Sequence, residues 1–261
     1  MNQPMQAALT IPQVIEQAPT FEQKNIVFDM TGVLFEFHMS KFLLLRKIGI
    51  MRLLAYSIWH YKNPFNLLNI TLDFLDKISP PTNNKFYKTR KLPQLTYEWG
   101  IGKKTSAEIK AEINQALEKN PTLIRSNLEH SVILATINDL LCPQSFANAC
   151  KPTALVEMVQ FLRNQHNADG SRKHHLYLLS NFDAESFAIL KTQHPKLFAC
   201  FDGLVVSGTA GCMKPDDEIF DYLFNTYQLK PQECLFIDDQ EENTTAGNKH
   251  GMKTILLLGS H

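Results

Sequence analysis

Ile26-Val27-Phe28-Asp29-Met30-Thr31-Gly32-Val33-Leu34 is the stretch that decides how this chain folds. Three apolar residues, two of them β-branched, read as a buried strand, and a carboxylate stands at its carboxyl end where a glycine turn begins. Open α/β sheets present reactive groups at such strand ends, beside the ligand crevice. Asp29 is therefore a candidate nucleophile or magnesium ligand. Alone, an Asp-x-x-Gly more often does no more than open a turn, so the reading depends on the residues downstream.

Working outward, His175-Leu176-Tyr177-Leu178-Leu179 forms a second apolar strand that ends at Ser180-Asn181, and Asp183 is placed to cap a helix reaching about Thr192. Lys214-Pro215-Asp216 leads into the helical pattern Ile219, Phe220, Leu223, Phe224, with Pro215 suited to the first helical position. Cys234-Leu235-Phe236-Ile237 reads as another strand. It ends in Asp238-Asp239, with Glu241, Glu242, Asn243 and the small pair Ala246-Gly247 beyond. Singly, Ser180 could be a cap, Lys214 a surface charge and the aspartate pair a turn. Together and in this order they supply hydroxyl, amide, ammonium and carboxylates at strand ends or a helix start.

Phosphoryl transfer needs that set. A carboxylate nucleophile and phosphate oxygens repel each other, so a lysine, neutral donors and a divalent cation held by carboxylates must neutralise the site. Magnesium takes hard oxygen ligands and needs few protein carboxylates, which makes Asp29 and Asp238 the candidate ligands.

With these residues the chain resembles the haloacid dehalogenase-like hydrolase superfamily, in the group with a helical cap inserted after the first motif. The resemblance covers about 21–33 and 151 to the C-terminus. It implies an α/β fold: a Rossmann-like three-layer core with a parallel sheet, plus an inserted α-helical cap. It also implies Asp29 as nucleophile, Ser180 in the phosphoryl-binding motif, Lys214 as the bridging cation, and Asp238 with Asp239 as the acidic metal motif. The implied cofactor is Mg2+, and the implied substrate a small phosphorylated metabolite.

One departure matters. Phosphatases of the family usually carry a second aspartate two residues after the nucleophile, as proton donor and then base; this chain has Thr31. A hydroxyl cannot replace a carboxylic acid in that role near neutral pH. Its main-chain carbonyl can still coordinate magnesium, so the resemblance keeps Thr31 among the metal ligands while weakening the acid/base step. The expected function is a magnesium-dependent phosphatase or phosphotransferase working through an aspartyl phosphate, with Ser180, Asn181 and Lys214 holding the phosphoryl oxygens. The alternative is a catalytically silent relative that binds a phosphorylated ligand or a protein partner.

The rest of the chain fits that organisation. Its 261 residues, 44% hydrophobic, suffice for one α/β core and a smaller insertion. Equal numbers of basic and acidic residues, 26 each, provide no pull toward nucleic acid. Five cysteines without metal-ligand spacing read as reduced thiols in a cytoplasmic protein; only Cys142 and Cys150 are close enough to suggest otherwise. Residues 1–20 lack a secretory pattern and read as a loose tail or an accessory helix. Residues 21–39 and 151–261 form the expected core, and 40–150 the expected cap.

Within the cap, 42–59 is apolar around a stripe of Arg46, Gly49, Arg52 and Ser57, a poor bilayer span, for which a buried helix is preferred to a membrane-surface one. Helices are expected over 65–78, broken by Ser79-Pro80-Pro81, and over 105–119, opened by a Thr105/Glu108 capping box. The basic run 85–91 is expected to be solvated or to face phosphate. Tyr97, Glu98 and Trp99 are candidates for substrate choice, or equally for an aromatic cluster inside the cap. The sequence does not indicate an oligomeric state.

Overall fold

The computed structural model describes residues 7–37, 67–87, 90–124 and 126–258. In chain order these form β1 (Ala7–Thr10), α1 (Ile11–Gln17), β2 (Asn25–Phe28) and β3 (Phe35–Phe37). An inserted stretch comes next: α2 (Leu67–Ile78), β4 (Pro81–Tyr87), β5 (Arg90–Pro93), α3 (Gln94–Gly100), α4 (Ser106–Lys119), α5 (Asn127–Leu140) and α6 (Pro143–Ala149). The chain then returns through β6 (Cys150–Pro152), α7 (Leu155–Arg163), β7 (His175–Ser180), α8 (Ala184–Gln193), β8 (Gly203–Val206), α9 (Asp217–Tyr227), β9 (Cys234–Asp238), α10 (Glu241–Lys249) and β10 (Lys253–Leu258).

Six strands form one parallel sheet in the order β1-β10-β9-β2-β7-β8. Strand side chains alternate between faces, and a parallel sheet buries both. Ile26, Phe28, Leu176, Leu178, Leu235 and Ile237 accordingly belong to one apolar cluster with α1, α7 and α8. Their neighbours Val27, Tyr177, Leu179 and Phe236 belong to another, with Ile219, Phe220 and Leu223 of α9. The result is the three-layer core expected from the sequence. β2 is central, flanked by β7 and β9, with Phe28 opposite Leu178 on one side and Ile237 on the other. Residues just beyond these three strands therefore meet at one edge of the sheet.

The inserted helices have their own apolar cluster, including Phe74, Leu95, Ile109, Ile113, Val132 and Ile137. The expected capping box is present: Thr105 accepts from the Glu108 N–H, and the Glu108 carboxylate accepts from the Thr105 N–H. Helix α2 stops at Ile78, ahead of Ser79-Pro80-Pro81. The segment 42–59 lies outside the described residues.

Three expectations need correction. Residues 1–20 are not merely a tail, because from Ala7 on they supply an edge strand, paired with β10, and then the accessory helix α1. The insertion is not purely helical: β4 and β5 form an antiparallel pair, and Arg90 within the basic run is bound to Asp73 at 2.6 Å and to Asp76. Lastly, Pro215 is not the first residue of its helix. Asp216 occupies the cap position and α9 begins at Asp217, after a cis Lys214–Pro215 bond.

Candidate active site

Asp29 leaves β2 at its carboxyl end with its N–H bonded to the Ile237 carbonyl of β9 at 2.9 Å, so the two strands continue in register to the site. The chain then turns sharply. Gly32 donates to the Phe35 carbonyl at 2.7 Å and the Met30 carbonyl accepts from Leu34 and Phe35. Gly32 has φ +93, and a Cβ there would stand 2.5 Å from the Asp239 carboxylate. Only glycine permits both the turn and that approach, which brings the loop after β9 up to the loop after β2.

Lys214 sits between the carboxylates. Its Nζ lies 2.7 Å from Asp29 Oδ1 and 2.6 Å from Asp238 Oδ2, and the lysine is only 2% exposed. Asp238, fully buried, is fixed further by the Asn243 amide at 3.0 and 3.1 Å and by the Gln240 N–H at 2.8 Å. Oxygens of Asp29, Asp238 and Asp239 lie within 4.8 Å of one another. Burial, and then the neighbouring Asp238 and Asp239, push Asp29 up to about 7 although Lys214 works against the shift. Burial alone would lower the Lys214 pKa, but Asp238 and Asp29 outweigh it and hold it above its ordinary value.

Among the described residues, three carboxylates against one ammonium leave the ionised cluster short of positive charge. A buried group in that position neutralises by taking up a proton, the direction in which Asp29 is pushed, or by gaining a cation. An all-oxygen donor set suits a hard divalent ion. The residues thus fit magnesium on their own chemistry. Ser180, at the end of β7, is fully buried, and its Oγ and the Thr31 Oγ1 have no hydrogen-bond partner among the described residues.

The sheet edge therefore brings together every residue singled out for the chemistry: Asp29, Thr31, Ser180, Asn181, Lys214, Asp238 and Asp239. Asn181, however, directs its side chain at the Lys214 main chain. Sequence reasoning misses Asn243 as a functional residue, although an amide one helical turn beyond an aspartate pair could have suggested it. Of the candidates for substrate choice, Tyr97, Glu98 and Trp99, the last two make contacts within the insertion. Trp99 packs on the inserted cluster and donates to Ser106 Oγ at 3.1 Å, and Glu98, 7% exposed, is held by Lys103 at 3.0 Å and Lys104 at 2.8 Å. The insertion still reaches the site's surroundings. Phe146 joins Trp99 to Phe182 with ring centroids 5.6 and 5.0 Å apart, and Ser207 donates to the Gly100 carbonyl at 2.6 Å.

A parallel α/β sheet carries a lysine-bridged carboxylate cluster at its carboxyl edge, and comparison with known proteins gives the class. The haloacid dehalogenase-like hydrolase family model matches residues 23–251, and the chain belongs to that family. Among curated proteins it is similar to a sesquiterpene phosphatase of Aspergillus oryzae, 31% identical over 85 residues, 33% of this chain and 43% of that one. A D-ribitol-5-phosphate phosphatase of Bacteroides thetaiotaomicron is 35% identical over 91 residues, 33% of this chain and 44% of that one. Each match spans less than half of the relative's length.

Among solved structures, a HAD family enzyme of Bacteroides thetaiotaomicron in complex with magnesium and inorganic phosphate superposes with a TM-score of 0.54 at 19% identity, over 92% of this chain and 96% of that one. A HAD-like family hydrolase of Porphyromonas gingivalis gives 0.52 at 20% identity, over 92% and 94%. At such identities the likeness is one of fold. Among the described residues no helix is long and apolar enough to cross a membrane, and no disulfide links the five cysteines.

Proposed function

We propose that this hydrolase is a magnesium-dependent phosphatase that acts on a small phosphorylated metabolite through an aspartyl phosphate on Asp29. The observation that carries the reading is the buried Asp29–Lys214–Asp238 bridge with Asp239 beside it, a site built for more negative charge than it can neutralise alone. A carboxylate of Asp29 attacks phosphorus in line, and the bond to the leaving oxygen breaks. Ser180, Lys214 and the main-chain N–H of Asn181 supply donors to the phosphoryl oxygens. Water then attacks the aspartyl phosphate, releasing phosphate and restoring Asp29. Magnesium would be held by Asp29, the Thr31 main-chain carbonyl, Asp238 and Asp239, and supplies neutralisation of the approaching phosphoryl charge. The relatives named as phosphatases and the neighbour solved with magnesium and phosphate support this reading.

Residues 40–150 serve in this proposal as the cap that selects substrate, a division supported by their separate apolar cluster. Thr31 favours a second reading, a silent relative that binds a phosphorylated ligand. Magnesium-dependent turnover of 4-nitrophenyl phosphate, compared with an Asp29→Asn variant, separates the two. Turnover abolished by the substitution is expected; equal background in both proteins would establish the silent protein instead.

A further inference from the structure

We infer that Asn181 is a positioning residue whose side chain holds the Lys214 loop, rather than a side-chain ligand of the phosphoryl group; this rests on the function proposed above. Its amide is spent on one target. Asn181 Nδ2 donates to the Lys214 carbonyl at 2.8 Å, and Asn181 Oδ1 accepts from the Lys214 N–H at 2.8 Å, across 33 residues of sequence.

Lys214 stands in a stretch without helix or strand, between β8 and α9. A main-chain N–H and C=O in such a stretch have no ladder to satisfy them, and an unpaired buried amide is costly. One carboxamide carries a donor and an acceptor side by side, so it can serve both groups at once, as a neighbouring strand would. A hydroxyl or a carboxylate could serve only one of them well.

The consequence lies at the far end of the lysine. Nζ reaches Asp29 and Asp238 at 2.7 and 2.6 Å through a four-carbon stem, in surroundings that leave the residue 2% exposed. A shift of the Lys214 main chain therefore moves the ammonium away from one carboxylate or both. Asn181 directly follows Ser180, so the segment that carries the proposed phosphoryl-binding hydroxyl also holds the main chain of the cation. The end of β7 and the cation loop are tied together by these two hydrogen bonds.

The test compares wild type, Asn181→Ala, Lys214→Ala and the double variant. Turnover of 4-nitrophenyl phosphate at saturating magnesium and calorimetric binding of inorganic phosphate are measured, with thermal melting as a check on folding. Asn181→Ala should lose about 100-fold in kcat, the cost of misplacing a catalytic group by about 1 Å, with KM little changed. In the Lys214→Ala background it should change neither turnover nor phosphate binding. Losses that multiply in the double variant, or phosphate binding weakened by Asn181→Ala when Lys214 is already gone, would overturn the assignment in favour of a direct contact. If Asn181→Ala does not fold, Asn181→Asp takes its place, keeping the size while setting a carboxylate oxygen against the Lys214 carbonyl. If wild type shows no magnesium-dependent turnover, the proposed phosphatase fails, and a crystal structure of the Asn181 variant decides the positioning separately. A Lys214 ammonium displaced from Asp29 and Asp238 supports it, and one that has not moved refutes it.

Discussion

Thr31 is the residue that sets what this site can hydrolyse. A departing oxygen must be protonated or leave as an anion, and a hydroxyl does not donate near neutral pH. The Thr31 Oγ1 is buried without a partner, so nothing among the described residues polarises it toward donation. Acyl and aryl phosphates should therefore be hydrolysed much better than alkyl ones. Thr31→Asp should help alkyl phosphates selectively, by about 100-fold, the gain a positioned acid supplies. Measuring kcat/KM for an alkyl and an aryl phosphate in both proteins checks this; equal rates in wild type and no selective gain would mean that another group supplies the proton. Asp29, Ser180, Lys214 and Asp238 are legible in the sequence because each stands at a strand end or in the approach to a helix. The roles of Asn181 and Asn243 are not, since they depend on which loops meet: Asn181 reaches a main chain 33 residues away, which no local pattern encodes.

Among the elements, α3 and α4 are joined by charge as well as by packing. Glu98 is held down to about 2 by Lys104 first and by Gln94 and Lys103, while Lys104 also reaches Glu112 at 2.7 Å. A carboxyl whose folded pKa is lowered stabilises the fold above its ordinary value and loses that contribution as pH falls toward the folded value. The window here runs from 4.5 down to about 2. Glu98→Gln should melt lower than wild type at neutral pH, by roughly 4 °C if about 2 kcal/mol of charged hydrogen bonding is lost. The gap should close as pH falls through that window, and a gap that persists at its acid end would assign the loss to packing. Helix α4 is legible down to its cap because capping is local. Strand β1 is not: Ala7–Thr10 is short and finds its partner only in β10. The β4/β5 pair is equally hidden because its residues lack clear alternation, and pairing between the two strands supplies what periodicity does not.

For the whole molecule, a cation bound only by the folded state must raise stability. At about 100 times its dissociation constant the gain is roughly 2.7 kcal/mol, or about 5 °C in Tm for a chain of this size. Magnesium should produce that shift in wild type and in Asp221→Asn, whose side chain is exposed, and not in Asp238→Asn. Without magnesium, Asp238→Asn should not cost the stability of an ordinary buried ion pair, because it also relieves repulsion among the three carboxylates. A shift that survives Asp238→Asn, read by calorimetry, would place the cation elsewhere.

The strand order also has a temporal side. β2 lies at the centre of the sheet, yet both its hydrogen-bonded neighbours, His175–Ser180 and Cys234–Asp238, are made much later on the ribosome. A strand with two missing partners has no sheet to join, so β2 and Asp29 must wait through synthesis of the whole insertion, while α2 to α5 can assemble from contacts nearer in sequence. Nascent chains arrested at increasing lengths and challenged with protease should show β2 protected only after Asp238 has been made and released. Early protection would mean that the insertion shelters it first.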